Sequence, residues 1–387
     1  MNAKVLARVG IGVGSCLLGG CGDDDVGTTS GGTSGSLEVV TYNGGLAIGF
    51  VEAAEARAPE VAKAVAGLSA DIVCLQEIWI PEHVDLVKSE TAASYPTAIF
   101  PAPDAGTVGP AACTEADTTE LLTCVQDNGC DVICADDLVN CVLANCASEF
   151  TAVPDTCRGC LQANVGNEID DIVATCQAES TEFAFGGSFG IGLLAKGEVK
   201  AQDEIVFESS TNRRGLIHAE VATEIGTVHA FCTHLTAVFS DIPYPKATGS
   251  WAEEQAAQID RLVQFVDEKA GQGIAVVMGD MNTGPAGEGY IAEVEANYQK
   301  FVDAGFRSPY VSTAGNPCTF CADNPIIARG NDDTASVVLD HVFVRGTDAP
   351  ASGTRVLDGP LEVPGCEGPL QSALSDHYGV SVTIGTP

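Results

Sequence analysis

Apolar residues fall along this chain in short runs that close on polar side chains, and run length and spacing separate strands from helices. Leu37 to Asn43 (LEVVTYN) is a β-rich run ending in an amide and predicts the first strand. Pro59 suits the first position of a helix reaching Leu68, with Val61, Val65 and Leu68 on one face. Asp71 to Gln76 (DIVCLQ) is almost continuously apolar, the pattern of a strand buried on both faces. Helical spacing returns over Val84 to Ala92, and Tyr95 to Phe100 reads as extended. Strand-like runs resume at Phe189 to Ala195, Glu204 to Glu208, Gly215 to Val221 and Thr227 to His234. Trp251 to Lys269 predicts an amphipathic helix whose face carries Ala252, Ala256, Ile259, Val263 and Val266. Ile274 to Met278, Ser336 to Val344 and Tyr378 to Ile384 complete the strands, and no segment repeats another. Strands with irregularly interspersed helices predict an α/β fold of two mixed sheets packed together and covered by helices.

One stretch breaks this pattern. Residues 101–181 hold 14 acidic residues, the single basic residue Arg158, and nine of the chain's 16 cysteines. The apolar residues there (Leu121, Leu122, Val125, Val132, Ile133, Leu138, Val142, Leu143) recur at helical intervals. Cys130 and Cys134, like Asp137 and Cys141, stand four apart and can share a helical face. The reading is a disulfide-stapled helical insert. Its rival is a zinc module, since Cys157-x-x-Cys160 has ligand-like spacing, but the stretch contains no histidine. Nine is odd, so one cysteine pairs outside the insert, pairs between chains, or stays free.

The N-terminus points to export. Lys4 and Arg8 precede a short apolar stretch, Ile11 to Leu18, and Leu18-Gly19-Gly20-Cys21 resembles a bacterial lipobox with Cys21 as the lipidated residue. The alternative is an ordinary cleaved signal peptide. The expected organisation is therefore a signal peptide over 1–20 and a Gly/Ser/Asp tether over 21–36. A folded domain over 37–387 follows, interrupted by the 101–181 insert. The cell envelope, by way of the Cys21 anchor, or the exterior is the expected location, and either makes disulfides the default state of the cysteines. Formal net charge is -35. A chain so acidic lacks the basic groove of a protein that grips nucleic acid through its phosphates, so no stable nucleic-acid complex is expected. A nuclease stays possible, because bound cations supply positive charge locally.

Chemistry-bearing side chains recur at the ends of the apolar runs. Asn43 ends the first, Glu77 follows the second, and His234 ends the Thr227 run. Asp280 and Asn282 follow Ile274 to Met278, Asp340 interrupts another run, and Asp376-His377 precedes the last. Any one could be a turn or capping residue. Their joint recurrence at strand ends, where sheet-based sites are assembled, indicates a shared site.

The segments TYN, DIVCLQEIW, FGIGLLAKGEV, THLTA, GDMNTGP, LDHVFV and SDHYGVSV occur in an order that resembles the endonuclease/exonuclease/phosphatase superfamily. That group includes deoxyribonuclease, apurinic endonucleases, inositol-polyphosphate phosphatases and neutral sphingomyelinases. The resemblance spans Leu37 to Gly385 without the insert, and implies a four-layer α/β sandwich with its site at one edge of the two sheets. It implies Glu77 as the principal carboxylate ligand of Mg²⁺, with Mn²⁺ or Ca²⁺ as substitutes, Asn43 beside it and Asp376 completing or supporting the site. It implies His377 as the group handling the proton of the attacking water, oriented by Asp340. Asp280 and Asn282 would position nucleophile and phosphate, and Asp280 could also touch a second metal. His234 would donate to a non-bridging phosphate oxygen.

Weaker candidates surround these. His341, on the opposite strand face from Asp340, reads as a packing residue, His218 and His229 as structural or surface residues, and His83 as solvated. Arg213-Arg214 could meet a substrate phosphate or form a plain loop-end charge pair. Cys74 and Cys232, in apolar runs, read as buried thiols rather than nucleophiles, and Cys318-x-x-Cys321 as a local or insert-linked disulfide. The LQEIW and THLTA segments, followed by a helix beginning Trp251-Ala-Glu-Glu-Gln, resemble the sphingomyelinase side of the superfamily more than the apurinic-endonuclease side, and with the acidity and a lipid tether they imply a lipid-type phosphodiester such as sphingomyelin as substrate. An extracellular nuclease is the alternative, and a non-catalytic surface binding protein the reading from another class. The insert reads as a lid or specificity element at the site rim, or as a remote stabilising appendage.

Overall fold

The computed structural model describes residues 35–106, 109–131, 138–178, 183–239, 242–330, 335–365 and 368–386. The leader, Cys21, most of the tether, Cys134 and Cys366 lie outside them.

The continuous apolar runs become central strands because both of their faces are covered. The first sheet contains β1 (Ser36–Asn43), β2 (Ile72–Gln76), β3 (Thr97–Ile99) and β4 (Gly192–Ala195). The second contains β5 (Val199–Val206), β6 (Gly215–Thr223), β7 (Gly226–His234), β8 (Ile274–Asp280) and β9 (Asp340–Arg345). Then follow β10 (Ala351–Val356), the hairpin of β11 (Pro360–Gly365) and β12 (Gly368–Ala373), and β13 (Gly379–Gly385). Strand order is β10-β13-β1-β2-β4-β3 in one sheet and β5-β6-β7-β8-β9 in the other. Each sheet has one parallel pair, β1 with β2 and β7 with β8, among antiparallel neighbours.

Helices cover the outer faces. On the first sheet lie α1 (Ala54–Ala66) and α2 (Pro81–Thr91), where Val61 and Val65 pack on Val73 and Leu75. Between the sheets, Val39, Ile72 and Val382 meet Ile217, Ala230, Val276 and Val342. Among the described residues five helices lie in the cysteine-rich stretch: α3 (Glu115–Asp127), α4 (Leu138–Asn145), α5 (Ala147–Ala152), α6 (Asp155–Ala163) and α7 (Ile169–Cys176). The second sheet is covered by α8 (Trp251–Ala270) and α9 (Glu295–Asp303), through Ile259, Leu262, Phe265 and Phe301 on Phe231, Val277 and Phe343. Short helices α10 (Pro309–Thr313) and α11 (Pro325–Gly330) precede β9. The expected four-layer arrangement of two mixed sheets flanked by helices is the one observed.

Several local expectations change. Helix α1 starts at Ala54, so Pro59 lies inside it. Arg57 anchors the early turn by donating to the carbonyls of Glu52 (2.9 Å), Gly44 (3.2 Å) and Leu374 (2.8 Å). The one ladder bond that Pro59 forfeits would have gone to exposed Glu55, whose carbonyl water can serve. His83 is buried at 6% exposure rather than solvated. Cys74 and Cys232 are not free thiols: they form a disulfide across the sandwich, from β2 to β7.

In the helical stretch, Cys113–Cys157, Cys124–Cys146, Cys130–Cys141 and Cys160–Cys176 are bonded. Cys157 and Cys160 thus pair with different partners, which removes the zinc reading. Cys318–Cys321 is a local disulfide. These bonds fit an exported protein in an oxidising setting. No helix among the described residues is long and apolar enough to cross a membrane.

Candidate active site

Both parallel pairs end at the same edge of the sandwich. Asn43 faces Gln76 in register, which puts Glu77 immediately beyond the end of β2. In the other sheet His234 pairs with Asp280, and Asp280 with Asp340, so three site residues form a row across β7, β8 and β9. His377 enters just before β13. Glu77 (φ 58°) and Asn282 (φ 49°) both adopt the left-handed backbone that non-glycine residues rarely occupy. Such conformations cost energy and concentrate at functional sites.

The two sheets are joined at this edge by Asn43, whose Nδ2 donates to Asp280 Oδ2 (2.9 Å) and to Glu77 Oε1 (3.3 Å). Asn43 Oδ1 accepts from Gly45 N (2.9 Å). Gly45 has φ 56° and passes so close to Asp376 and Ser375 that a Cβ would collide with both side chains. Ser375 Oγ donates to Asp376 Oδ1 (3.0 Å) and accepts from His377 N (3.1 Å). His377 Nδ1 lies 2.8 Å from Asp340 Oδ2 and 3.8 Å from Asp280 Oδ2, and His234 Nε2 lies 3.5 Å from the same Asp280 oxygen. Asp280 Oδ1 accepts from Asn282 N (2.9 Å), and Asn282 Nδ2 donates to Leu235 O (3.0 Å). All eight residues expected to share a site are therefore brought to one edge.

Buried charges set the electrostatics. Burial, reinforced by Asp376 and Asp280 against the opposing pull of His377 and Asn43, pushes Glu77 up to about 7. Asp280 rises to about 6, through burial and the neighbouring Asp340. Burial alone would lower His377, but Asp340 and Asp280 outweigh it and hold the imidazole well above its ordinary range. His234 goes well below that range, through burial and then Arg214 and His377. One histidine of the pair is thus inclined to carry a proton and the other to stay neutral.

A divalent cation fits this donor set. Glu77 Oε2 is sealed from solvent and has no hydrogen-bond partner among the described residues. A raised carboxylate pKa and crowded like charges are what a cation relieves. By proximity alone Asp280, Asp340 and His377 also form a cluster, their ligand atoms within 4.8 Å of one another. Within that cluster Asp340 and His377 already satisfy each other at 2.8 Å, whereas Glu77 Oε2 is left open.

Above these groups lies a cavity of about 440 Å³. Glu77, His234, Asp280 and His377 line one side, and Phe50, Trp79, Phe239, Ile291 and Phe320 another. Arg214 lines it too, buried at 5% exposure and lowered to about 10 by that burial against the opposing pull of Glu77, Asp280 and Glu254. Its neighbour Arg213 takes a separate place, paired with Asp104 and stacked 4.1 Å over Phe183. The arginine doublet marked this spot in the sequence, but nothing there distinguished the two.

Supporting residues had weaker signals. Gln255 on α8 donates to Asn282 O and Thr236 O (both 2.8 Å), and Gln258 accepts from Thr236 N (2.9 Å). A helix face that buries glutamines beside a loop is the trace they leave. The Cys318–Cys321 disulfide brackets Thr319, whose Oγ1 accepts from Asp340 N (3.1 Å), and Phe320, whose ring meets His377 edge-on at 5.1 Å. His341 packs as expected, on Phe343 at 4.9 Å with Nε2 2.9 Å from Thr283 O. His218 stacks on His229 at 5.3 Å, away from the cavity.

The family model of the Endonuclease/Exonuclease/phosphatase family matches residues 40–377. No curated protein matches the chain. Among solved structures, sphingomyelinase C from Streptomyces griseocarneus is similar at 18% identity and a TM-score of 0.57, covering 91% of this chain and 99% of that one. A double mutant of beta toxin from Staphylococcus aureus with bound magnesium ions is similar at 13% identity and a TM-score of 0.58, covering 91% and 100%. TDP2 from C. elegans is similar at 14% identity and a TM-score of 0.50, covering 91% and 75%.

Proposed function

The chain belongs to the Endonuclease/Exonuclease/phosphatase family of phosphoesterase-type hydrolases, and from that premise we propose that it cleaves an amphiphilic, lipid-type phosphodiester with a divalent cation, Mg²⁺ first. The observation that carries the reaction is Asn43 Nδ2, which ties Glu77 of one sheet edge to Asp280 of the other around a single cavity.

Glu77, with Asn43 and Asp376 nearby, would hold the cation, which supplies positive charge to the phosphoryl group. Asp280 and Asn282 position the attacking water and the phosphate. His377 exchanges the proton of that water through Nε2, because Nδ1 is engaged by Asp340, which fixes the ring and stabilises its charged form. With the carboxylates neutralised, the field that raises His377 weakens, and a ring that can accept a proton becomes accessible near neutral pH. His234, kept neutral, donates to a non-bridging oxygen as charge builds on the phosphoryl group.

The lipid reading rests on the rim. Of the five large apolar side chains exposed among the described residues, three (Phe50, Phe239 and Ile291) line this cavity. Exposed apolar surface beside a polar reaction centre suits a substrate with both characters. A net charge of -35 opposes a long polyanion. The likeness to a sphingomyelinase C, at 18% identity, contributes the fold alone. Lipidation at Cys21 would keep the enzyme beside such substrates, and Cys21→Ser would then move it from the membrane to the soluble fraction.

The deciding experiment incubates purified protein and Mg²⁺ with sphingomyelin vesicles or with plasmid DNA. Release of the phosphorylated headgroup is expected. Cleavage of DNA alone would replace the lipid reading with the extracellular nuclease. Inertness toward both, and toward a generic bis-phosphoester with Mg²⁺, Mn²⁺ or Ca²⁺, would leave a non-catalytic surface binding protein.

A further inference from the structure

The cavity contains a buried positive charge that pairs directly with no described residue, although the carboxylates of Glu77, Asp280 and Glu254 act on it from a distance. Arg214, 5% exposed, makes no side-chain hydrogen bond and no ion pair with any described residue, and its Nη1 is sealed from solvent. A guanidinium has five N–H donors, and leaving them unmade around a buried charge is among the costliest arrangements a fold can contain. Two further nitrogens nearby are in the same condition. Trp79 Nε1 is buried without a partner, with its ring centroid 5.7 Å from the Arg214 guanidinium carbon. His234 Nδ1 is also unpartnered, with its ring 6.0 Å from that of Trp79. All three residues line the same cavity.

We propose that Arg214 and Trp79 Nε1 form an anionic subsite that seats the non-bridging oxygens of the substrate's phosphoryl group beside His234. This deepens, and rests on, the phosphoester-hydrolase reading. The charge pattern supports it: among the described residues Arg214 is the only Lys or Arg lining the cavity, and Glu77, Asp280 and Glu293 line it as well. A phosphodiester anion entering among carboxylates needs a fixed counter-charge, and a planar fork suits two phosphoryl oxygens better than an ammonium does. Trp79 is itself held in place, stacked on Phe185 at 5.0 Å and lying so close over Gly190 that a Cβ there would strike its ring. Its indole N–H is thus fixed before any ligand arrives.

The test uses the whole protein and the variants Arg214→Met, Arg214→Lys and Trp79→Phe. Thermal unfolding is followed in EDTA while inorganic phosphate is titrated against chloride of equal ionic strength. The unaltered protein is expected to gain melting temperature with phosphate. Arg214→Met should lose that gain, Trp79→Phe should keep part of it, and Arg214→Lys should restore part of it. Without phosphate, Arg214→Met should melt no lower than the parent, since it removes an unpaired buried charge. With Mg²⁺ and a phosphodiester, Arg214→Met should lower kcat/KM about 10- to 100-fold, the usual worth of hydrogen bonds to a charged group. Equal phosphate stabilisation of parent and Arg214→Met, no phosphate stabilisation of the parent, or a lower melting point of the ligand-free variant would each overturn the subsite. If the parent hydrolyses no phosphoester, the proposed function falls, and the phosphate titration still decides on Arg214.

Discussion

Arg158 and Arg214 are buried almost equally, at 4% and 5% exposure, in very different surroundings. Arg158, in the cysteine-rich helices, donates through Nη1 to the carbonyls of Thr151 and Val153 (both 3.0 Å) and through Nη2 to Asp155 (2.6 Å), leaving only Nε unpartnered. Arg214, at the sheet edge, makes none of these bonds. The first region closes on itself: its small core of Leu121, Val125, Leu161 and Ile172 is supplemented, among the described residues, by four disulfides, as small apolar cores require. The second region leaves Glu77 Oε2, Trp79 Nε1, His234 Nδ1 and Arg214 Nη1 without partners. In the helices Arg158 Nε and Gln162 Oε1 are buried without partners among the described residues, whereas at the cavity four such atoms gather around one space where a ligand is to complete the structure.

This contrast predicts which changes remove activity and which remove stability. His377→Ala should lower kcat about 10³-fold at temperatures where the variant is folded, because general acid–base groups contribute on that scale, and should also lower the melting temperature, because buried Asp340 loses its 2.8 Å partner. An unchanged kcat in the folded variant would make His377 purely structural. Replacing both partners of the Cys160–Cys176 bond with serine should cost about 3 kcal/mol by denaturant unfolding, from a loop of 16 residues, with kcat unchanged below the transition. A parallel loss of kcat would tie the helices to catalysis and favour a lid. Arg158→Met should cost about 2 kcal/mol, where Arg214→Met costs nothing. Similar losses for both would erase the distinction between the regions.

The last effect is in pH. Glu77 releases its proton near 4.5 when unfolded and at about 7 when folded, so between these values the native state binds the extra proton and stability falls as pH rises. In EDTA, Glu77→Gln should therefore gain melting temperature over the parent progressively from about pH 4.5 to about pH 7 and keep a constant lead above that. A lead that shrinks with rising pH would mean that Glu77 is stabilised as an anion by something other than a cation.

Much of the site could be read from the chain because strand ends are local: an apolar run followed by Glu77, His234 or Asp280 gives both the strand and the polar residue at its end. The two-sheet architecture was legible for the same reason. Arg57 was not, since its role depends on carbonyls of Gly44 and Leu374 that only the fold brings together. Nor was the start of α1, where Pro59 signals a first turn and tertiary bonds place that turn earlier. Arg214 and Arg213 are neighbours in sequence, and only the course of the loop before β6 sends one into the cavity and the other to Asp104. Strands β10 to β12 carry too few apolar residues to register as runs.

The pairing of Cys74 with Cys232 likewise could not be foreseen, as 158 residues separate them. Cys74 stands three residues before Glu77 and Cys232 two before His234, so the bond spans the sandwich just behind the mouth of the cavity. It acts as a rivet at the base of a pair of jaws, fixing the gap between them by a covalent span instead of by side-chain packing alone. Protein matured in a reducing compartment would keep the same sequence with the rivet missing, and the carboxylate and the imidazole on opposite jaws would lose their common gauge.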